Sequence, residues 1–151
     1  MTISTIESEI LFAILSGKVS SAINRRLYRR FREEGIEVTP EQWTVLHYLW
    51  DREGVTQQEL CQNTFKDKPS MTRLIDNLEK QHLVERRAHQ EDRRINMIYL
   101  TPQGRDLESS IQPVVANIMN VALEGIPEDH MEILRTDLSR IFNNIRATLK
   151  E

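Results

Sequence analysis

Apolar residues recur at helical spacing over most of this chain and switch to extended spacing once, in the middle. Over residues 6–34 they form two adjoining stripes, Ile6, Ile10, Ile14, Leu27 and Phe31 beside Leu11, Leu15, Val19 and Ile23. Together these are wider than a lone surface helix needs. The pattern predicts one long helix, stopped by Gly35. Thr39-Pro40-Glu41-Gln42 predicts the next start: Thr39 caps, Pro40 suits the first helical position, and Gln42 completes a capping box. The helix behind it carries Trp43, Leu46, Leu49 and Trp50 on one face and ends near Gly54. Thr56-Gln57-Gln58-Glu59 repeats the capping pattern before a short helix with Leu60 and Cys61 inward. Lys66-Asp67-Lys68-Pro69 breaks that helix, and because proline cannot sit deep inside a helix, another starts close to Pro69. Met71, Leu74, Ile75 and Leu78 then give the clearest amphipathic face in the chain.

The period changes after that helix. Leu83–Arg87 and Ile95–Leu100 are rich in branched and aromatic residues with partial alternation, so they read as two strands. Ala88–Arg94 between them is a polar tip, which predicts a β-hairpin with a charged loop. Thr101-Pro102 starts a further helix, and residues 102–123 and 127–149 read as two helices parted by Gly125 and Pro127. One hairpin cannot build a sheet core, so helices must dominate the packing. The expected fold is mainly α with a small β-hairpin wing: a winged helix-turn-helix with long N- and C-terminal helices.

Composition narrows the function by exclusion. In 151 residues no apolar run is long enough to span a bilayer. The N-terminus lacks a basic region ahead of its apolar part, so a cytoplasmic location is expected and no membrane partner. Cys61 is the only cysteine, which rules out an intrachain disulfide and a thiolate-rich zinc site. The four histidines are scattered, so no metal site is expected. No nucleophile elbow, phosphate loop or glycine-rich cofactor loop is present, so neither catalytic residues nor a cofactor are expected, and the chain does not read as an enzyme. The net charge of −3 does not advertise a nucleic-acid partner. Its distribution is more telling: residues 66–100 carry 8 Lys/Arg against 6 Asp/Glu, between flanks at 7 against 9 and 5 against 8.

Two short helices with a tight connection, followed by a charged hairpin, fit a DNA-reading head. The helix starting near Pro69 must pack one side and offer small hydrogen-bonding or cationic groups on the other. Ser70, Thr72 and Arg73 meet that demand near its N-terminus, with Asn77 a turn further on. The helix N-terminus itself favours a phosphate. Arg93 and Arg94 supply the positive wing tip. Asp92 beside them is read as an orienting partner for an arginine, with Arg86 across the hairpin as the candidate.

Leu60, the run Ser70–Lys80 (SMTRLIDNLEK), Leu83-Val84-Glu85-Arg86, Asp92-Arg93-Arg94 and Leu100-Thr101-Pro102-Gln103-Gly104 together resemble the MarR family of bacterial transcriptional regulators. The resemblance is close over residues 36–107, and helix order extends it to the whole chain. It implies a homodimer, with residues 1–35 and 102–151 as a helical dimerisation region and 36–101 as a winged helix-turn-helix DNA-binding domain. It also implies a repressor on a pseudo-palindromic operator in double-stranded DNA, with Ser70, Thr72 and Arg73 as groove contacts and Arg94, with Arg93, as the wing contact. Dimerisation would account for the apolar first helix and for the stripes Ile111, Val114, Val115, Ile118 and Leu134, Leu138, Ile141, Ile145. Three positions depart from the family pattern. His82 replaces a usual glycine, Asn77 replaces a common arginine, and Lys68-Pro69 shifts the proline by one place.

The resemblance further implies release by a small aromatic or phenolic effector, for which Trp43 and His47 are the candidate contacts. The plainer alternative, favoured here, makes Trp43 core and His47 an interface polar residue. Cys61 reads as a small core residue in preference to an oxidant sensor. Arg25, Arg26, Arg29 and Arg30 read as a solvated helix face or as partners of Glu33 and Glu34. The alternative function is a winged-helix protein–protein interaction module without specific DNA binding, to which the negative net charge lends weight.

Overall fold

The computed structural model describes residues 3–149, leaving aside the side chains of residues 3–6, 8 and 9. Ile6 of the expected first stripe therefore lies outside the described side chains. The first helix, α1 (Ile3–Glu33), ends at Gly35, whose φ of 72° turns the chain back on itself. Gly35 N–H donates to the Arg32 carbonyl at 3.1 Å and Ile36 N–H to the Phe31 carbonyl at 2.8 Å, which satisfies carbonyls that a helix end otherwise orphans. Phe31 and Ile36 are both buried there. Next, α2 (Pro40–Asp51) opens with the expected capping box: Gln42 N–H donates to Thr39 Oγ1 at 3.1 Å, and Thr39 N–H to Gln42 Oε1 at 3.0 Å. Thr56 and Glu59 repeat this at the start of α3 (Gln57–Thr64), at 3.1 and 3.0 Å.

The remaining elements are α4 (Lys68–Lys80), a hairpin, α5 (Pro102–Asp106), α6 (Glu108–Ala122) and α7 (Glu128–Thr148). The hairpin strands, β2 (Val84–Ala88) and β3 (Asn96–Leu100), pair antiparallel with Arg86 opposite Ile98. A two-residue strand just before α3, β1 (Val55–Thr56), adds to the free edge of β3 through Val55 opposite Ile98. The sequence reading lacks this strand, because two residues leave no alternation to detect. The single helix expected over 102–123 divides at Leu107. Ser110 N–H reaches back only three residues, to Leu107, and the Ser109 hydroxyl donates to the Asp106 carbonyl at 2.9 Å.

The core differs from expectation in two places. On α2 the fully buried row is Val45, Leu46 and Leu49, whereas Trp43 and Trp50 are only half-buried. Trp50 instead donates its indole N–H to the Gly104 carbonyl at 2.9 Å. The α6 stripe of Ile111, Val114, Val115 and Ile118 is buried within the single chain, so it needs no second copy to cover it.

The chain divides into two compact units that meet between Ile118 and Met119. In the first, the N-terminal half of α1 leaves Ile10, Leu11, Phe12, Ile14, Leu15 and Val19 between 44 and 61% exposed. The second holds α7, which buries no residue and leaves Leu134, Leu138, Ile141 and Ile145 between 42 and 58% exposed. No described helix is long and apolar enough to cross a membrane.

Gly104 fixes how closely α5 can approach the base of the hairpin. Thr101 Oγ1 accepts from Gly104 N–H at 3.0 Å and donates to the His82 carbonyl at 2.6 Å. A Cβ on Gly104 would overlap the Leu83 carbonyl oxygen, which is backbone and cannot swing away. Gly104→Ala is therefore expected to destabilise the fold by about 1–3 kcal/mol, read as a lowered urea midpoint with an unchanged slope.

Candidate nucleic-acid interface

The pair α3 and α4 forms the helix-turn-helix. Phe65 closes α3 with a φ of 57°, and Asp67 opens α4 by accepting Ser70 N–H at 2.7 Å. Met71, Leu74, Ile75 and Leu78 all lie in the core, as their spacing predicts. The far side of α4 stays available: Arg73 and Asn77 are exposed, and Ser70 and Thr72 are half-buried.

These four residues do not form one row. Ser70, Arg73 and Asn77 border a shallow cavity of about 300 Å³ that Thr39, Glu41 and Gln42 of the α2 start also line. Thr72 faces α3, where its Oγ1 accepts from Gln57 Nε2 at 2.7 Å. That bond fixes the hydroxyl oxygen and leaves its proton free to donate. The helix N-terminus is less open to phosphate than the sequence suggests. Ser70's N–H and hydroxyl hold the Asp67 carboxyl below its ordinary range, so an anion already occupies that end.

At the far end of α4 the chain repeats the geometry seen at Gly35. His82 N–H donates to the Glu79 carbonyl and Leu83 N–H to the Leu78 carbonyl, both at 3.0 Å. His82 takes the left-handed backbone, with a φ of 59°. A side chain is accommodated there only at a cost, which His bears better than most residues.

The hairpin carries the wing. Arg94 is 91% exposed in its side chain and binds Asp92 with Nε on Oδ1 and Nη2 on Oδ2, both at 3.0 Å. Arg94 N–H also donates to Asp92 Oδ1 at 3.0 Å. Asp92 therefore orients Arg94, and the pairing with Arg86 expected from the sequence is not made. Arg86 lies within β2 opposite Ile98, whereas Asp92 sits in the tip loop two residues before Arg94. The bonds from Arg94 hold the Asp92 carboxyl below its usual range, so the pair stays ionised at neutral pH. The Nη1 edge of Arg94 points away from that chelate and is open to a partner. Arg93 is exposed beside it.

Arg86 turns to α4 instead. Its guanidinium lies 2.8 Å from Asp76 and 3.2 Å from Glu79, and it reaches the Thr72 carbonyl at 3.4 Å. Sequence reasoning missed Asp76, Glu79, Asp67 and Gln57. Two carboxylates three residues apart on a helix proposed to face DNA were the signal that a nearby cation must answer them.

The other candidates stand apart from this face. Trp43 and His47 are neighbours, ring centroids 5.9 Å apart, with the Trp43 indole nitrogen buried and unbonded and His47 exposed. Neither lines the cavity of about 630 Å³ that lies among Glu34–Val38, Gln81, Leu83, Gln103, Leu107 and Ser110. Cys61 is half-buried; burial first, then the Asp67 charge, pushes its thiol up, away from the reactive thiolate. Arg30 pairs with Glu33 and Glu34 at 3.4 and 2.9 Å, while Arg25, Arg26 and Arg29 are exposed.

Comparison with known proteins agrees with this geometry. A family model described as MarR family matches residues 36–95. The crystal structure of the transcriptional regulator PA3341 is 36% identical, covers 90% of this chain and 98% of its own, and superposes with a TM-score of 0.76. CouR from Rhodococcus jostii RHA1, solved bound to p-coumaroyl-CoA, is 24% identical over 86% of this chain and 90% of its own, with a TM-score of 0.76. MepR of S. aureus, solved as a DNA complex, is 21% identical over 95% of this chain and 98% of its own, with a TM-score of 0.74. The last two are likenesses of fold.

The left-handed backbone at residue 82 gives a direct test. His82→Gly is expected to stabilise the chain by about 1 kcal/mol, seen as a higher urea midpoint.

Proposed function

The chain belongs to the MarR family of transcriptional regulators, and from that premise we propose that it is a sequence-specific DNA-binding repressor that works as a homodimer. The observation that carries this reading is the pairing of two cationic elements: Arg73 exposed on the N-terminal half of α4, and Arg94 presented at the wing tip by Asp92. Residues 36–101 act as the reading head. Ser70, Thr72, Arg73 and Asn77 contact base edges and phosphates in a major groove, while Arg93 and Arg94 reach the adjacent minor groove. Residues 1–35 and 102–151 supply the dimer contacts, and the exposed apolar faces of α1 and α7 are what a second copy would cover. A twofold dimer sets two α4 helices about 34 Å apart and calls for a pseudo-palindromic operator. The reading is of a cytoplasmic protein.

Release follows from the same geometry, because a dimer that must fit two half-sites loses its grip when the spacing of its heads shifts. A small aromatic or phenolic effector is the proposed trigger, by analogy with the ligand-bound CouR structure. The buried, unbonded indole N–H of Trp43 beside His47 offers such a molecule a donor.

The test is binding to the DNA upstream of the protein's own gene, followed by fluorescence anisotropy. Affinity in the nanomolar range, falling steeply with salt, is expected. Arg94→Ala should weaken binding about tenfold across all sequences, whereas Arg73→Ala should cost about 1–3 kcal/mol and relax preference at one operator position. Equal affinity for random DNA would favour a winged-helix module for protein contact, and elution of the 17.7 kDa chain as a monomer would remove the dimer.

A further inference from the structure

Arg86 sits in the middle of β2 yet gives its whole side chain to α4. Nη2 lies 2.8 Å from Asp76 Oδ1 and 3.4 Å from the Thr72 carbonyl oxygen, Nη1 lies 3.2 Å from Glu79 Oε1, and the Arg86 N–H donates to Glu79 Oε2 at 3.2 Å. Thr72, Asp76 and Glu79 follow one another at helical spacing, so Arg86 grips α4 along two turns of one side. Its side chain is only 18% exposed, against 91% for Arg94. A half-buried, several-fold hydrogen-bonded cation is screened less and ordered more than a surface ion pair. The base of the hairpin is anchored by Val84, Ile98 and Leu100, which are buried, whereas residues 87–97 towards its tip are exposed or half-buried. Two strands alone are marginal in water, and β1 adds only two residues to the edge of β3.

We infer that Arg86 is a positioning residue: a clasp that makes α4 and the wing one rigid body, so that Arg73 and Arg94 meet DNA in fixed register. It also neutralises Asp76 and Glu79, which would otherwise repel phosphates beside the reading helix. The consequence for DNA rests on the function proposed above, while the clasp itself does not.

Two variants of the full chain test it. Arg86→Met keeps the stem and loses the charge; Asp76→Asn with Glu79→Gln keeps Arg86 and removes the two charges it grips. Without DNA, hydrogen exchange in the hairpin around residues 86–97 should rise about tenfold in both, while the amides of Met71–Leu78 change less than about twofold. On operator DNA, Arg94→Ala should cost about tenfold in the wild-type chain and less than about twofold in the Arg86→Met background, whereas Arg73→Ala should cost the same in both. Arg86→Lys, able to reach one carboxylate at a time, should restore part of the Arg94 effect. Unchanged hairpin exchange, equal loosening of α4 and hairpin, or an Arg94→Ala cost that is the same in both backgrounds would overturn the clasp. If the wild-type chain binds no operator, the DNA reading fails, and the exchange measurement alone decides whether Arg86 holds the wing.

Discussion

Burial of Met71, Ile75 and Leu78 fixes α4 to the body of the protein through one face, and that face is the only one packing can use. The side bearing Arg73 stays open, and the further restraints on α4 come from its ends and flanks. Asp67 closes its start, the turn at His82 closes its finish, Gln57 holds Thr72 on one flank, and Arg86 reaches over from the hairpin. Each restraint is polar, directional and short-ranged, which suits the task. Apolar contacts fix a depth but tolerate rotation, whereas hydrogen bonds to named atoms fix an angle. Gly104 serves the same end from below, since its missing side chain lets α5 sit against the Leu83 carbonyl where α4 hands over to the wing.

Carboxylates crowd this surface more than a nucleic-acid interface needs. Asp67, Asp76, Glu79 and Asp92 all lie on α4's margins or the wing, and three of them pair with an arginine of the hairpin. Their effect is to convert flexible cations into oriented ones. A free surface arginine must surrender rotamer freedom on binding, while one already chelated by a neighbour has surrendered much of it beforehand. Arg94 keeps one edge open and Arg86 keeps none, which fits the proposed contacting role of the first and the supporting role inferred for the second.

Local signals in the sequence are legible because their physics is local. The capping boxes at Thr39 and Thr56 and the amphipathic face of α4 each depend on residues within two turns. Legibility failed where the answer lay elsewhere in the chain. The spacing of Ile111, Val114, Val115 and Ile118 says that something covers them, but not whether it is this chain or a second copy. Asp92 advertised a need for an arginine without saying which, and Arg94, two residues on, outcompetes Arg86 across the hairpin. Asp76 and Glu79 look like solvent-facing helix residues until Arg86 is folded over them. β1 is a strand only because β3 offers it an edge.

The chelate between Asp92 and Arg94 bears on how such a protein searches a chromosome. Affinity for arbitrary DNA comes almost entirely from ions released when cations meet phosphates. On the proposed DNA reading, an arginine carrying its own carboxylate would release fewer of them, so the wing would grip random sequence weakly while keeping its orientation for a site that fits. Molecules held less by the bulk of the genome remain free to sample it. A cell then needs fewer copies to keep its true sites occupied.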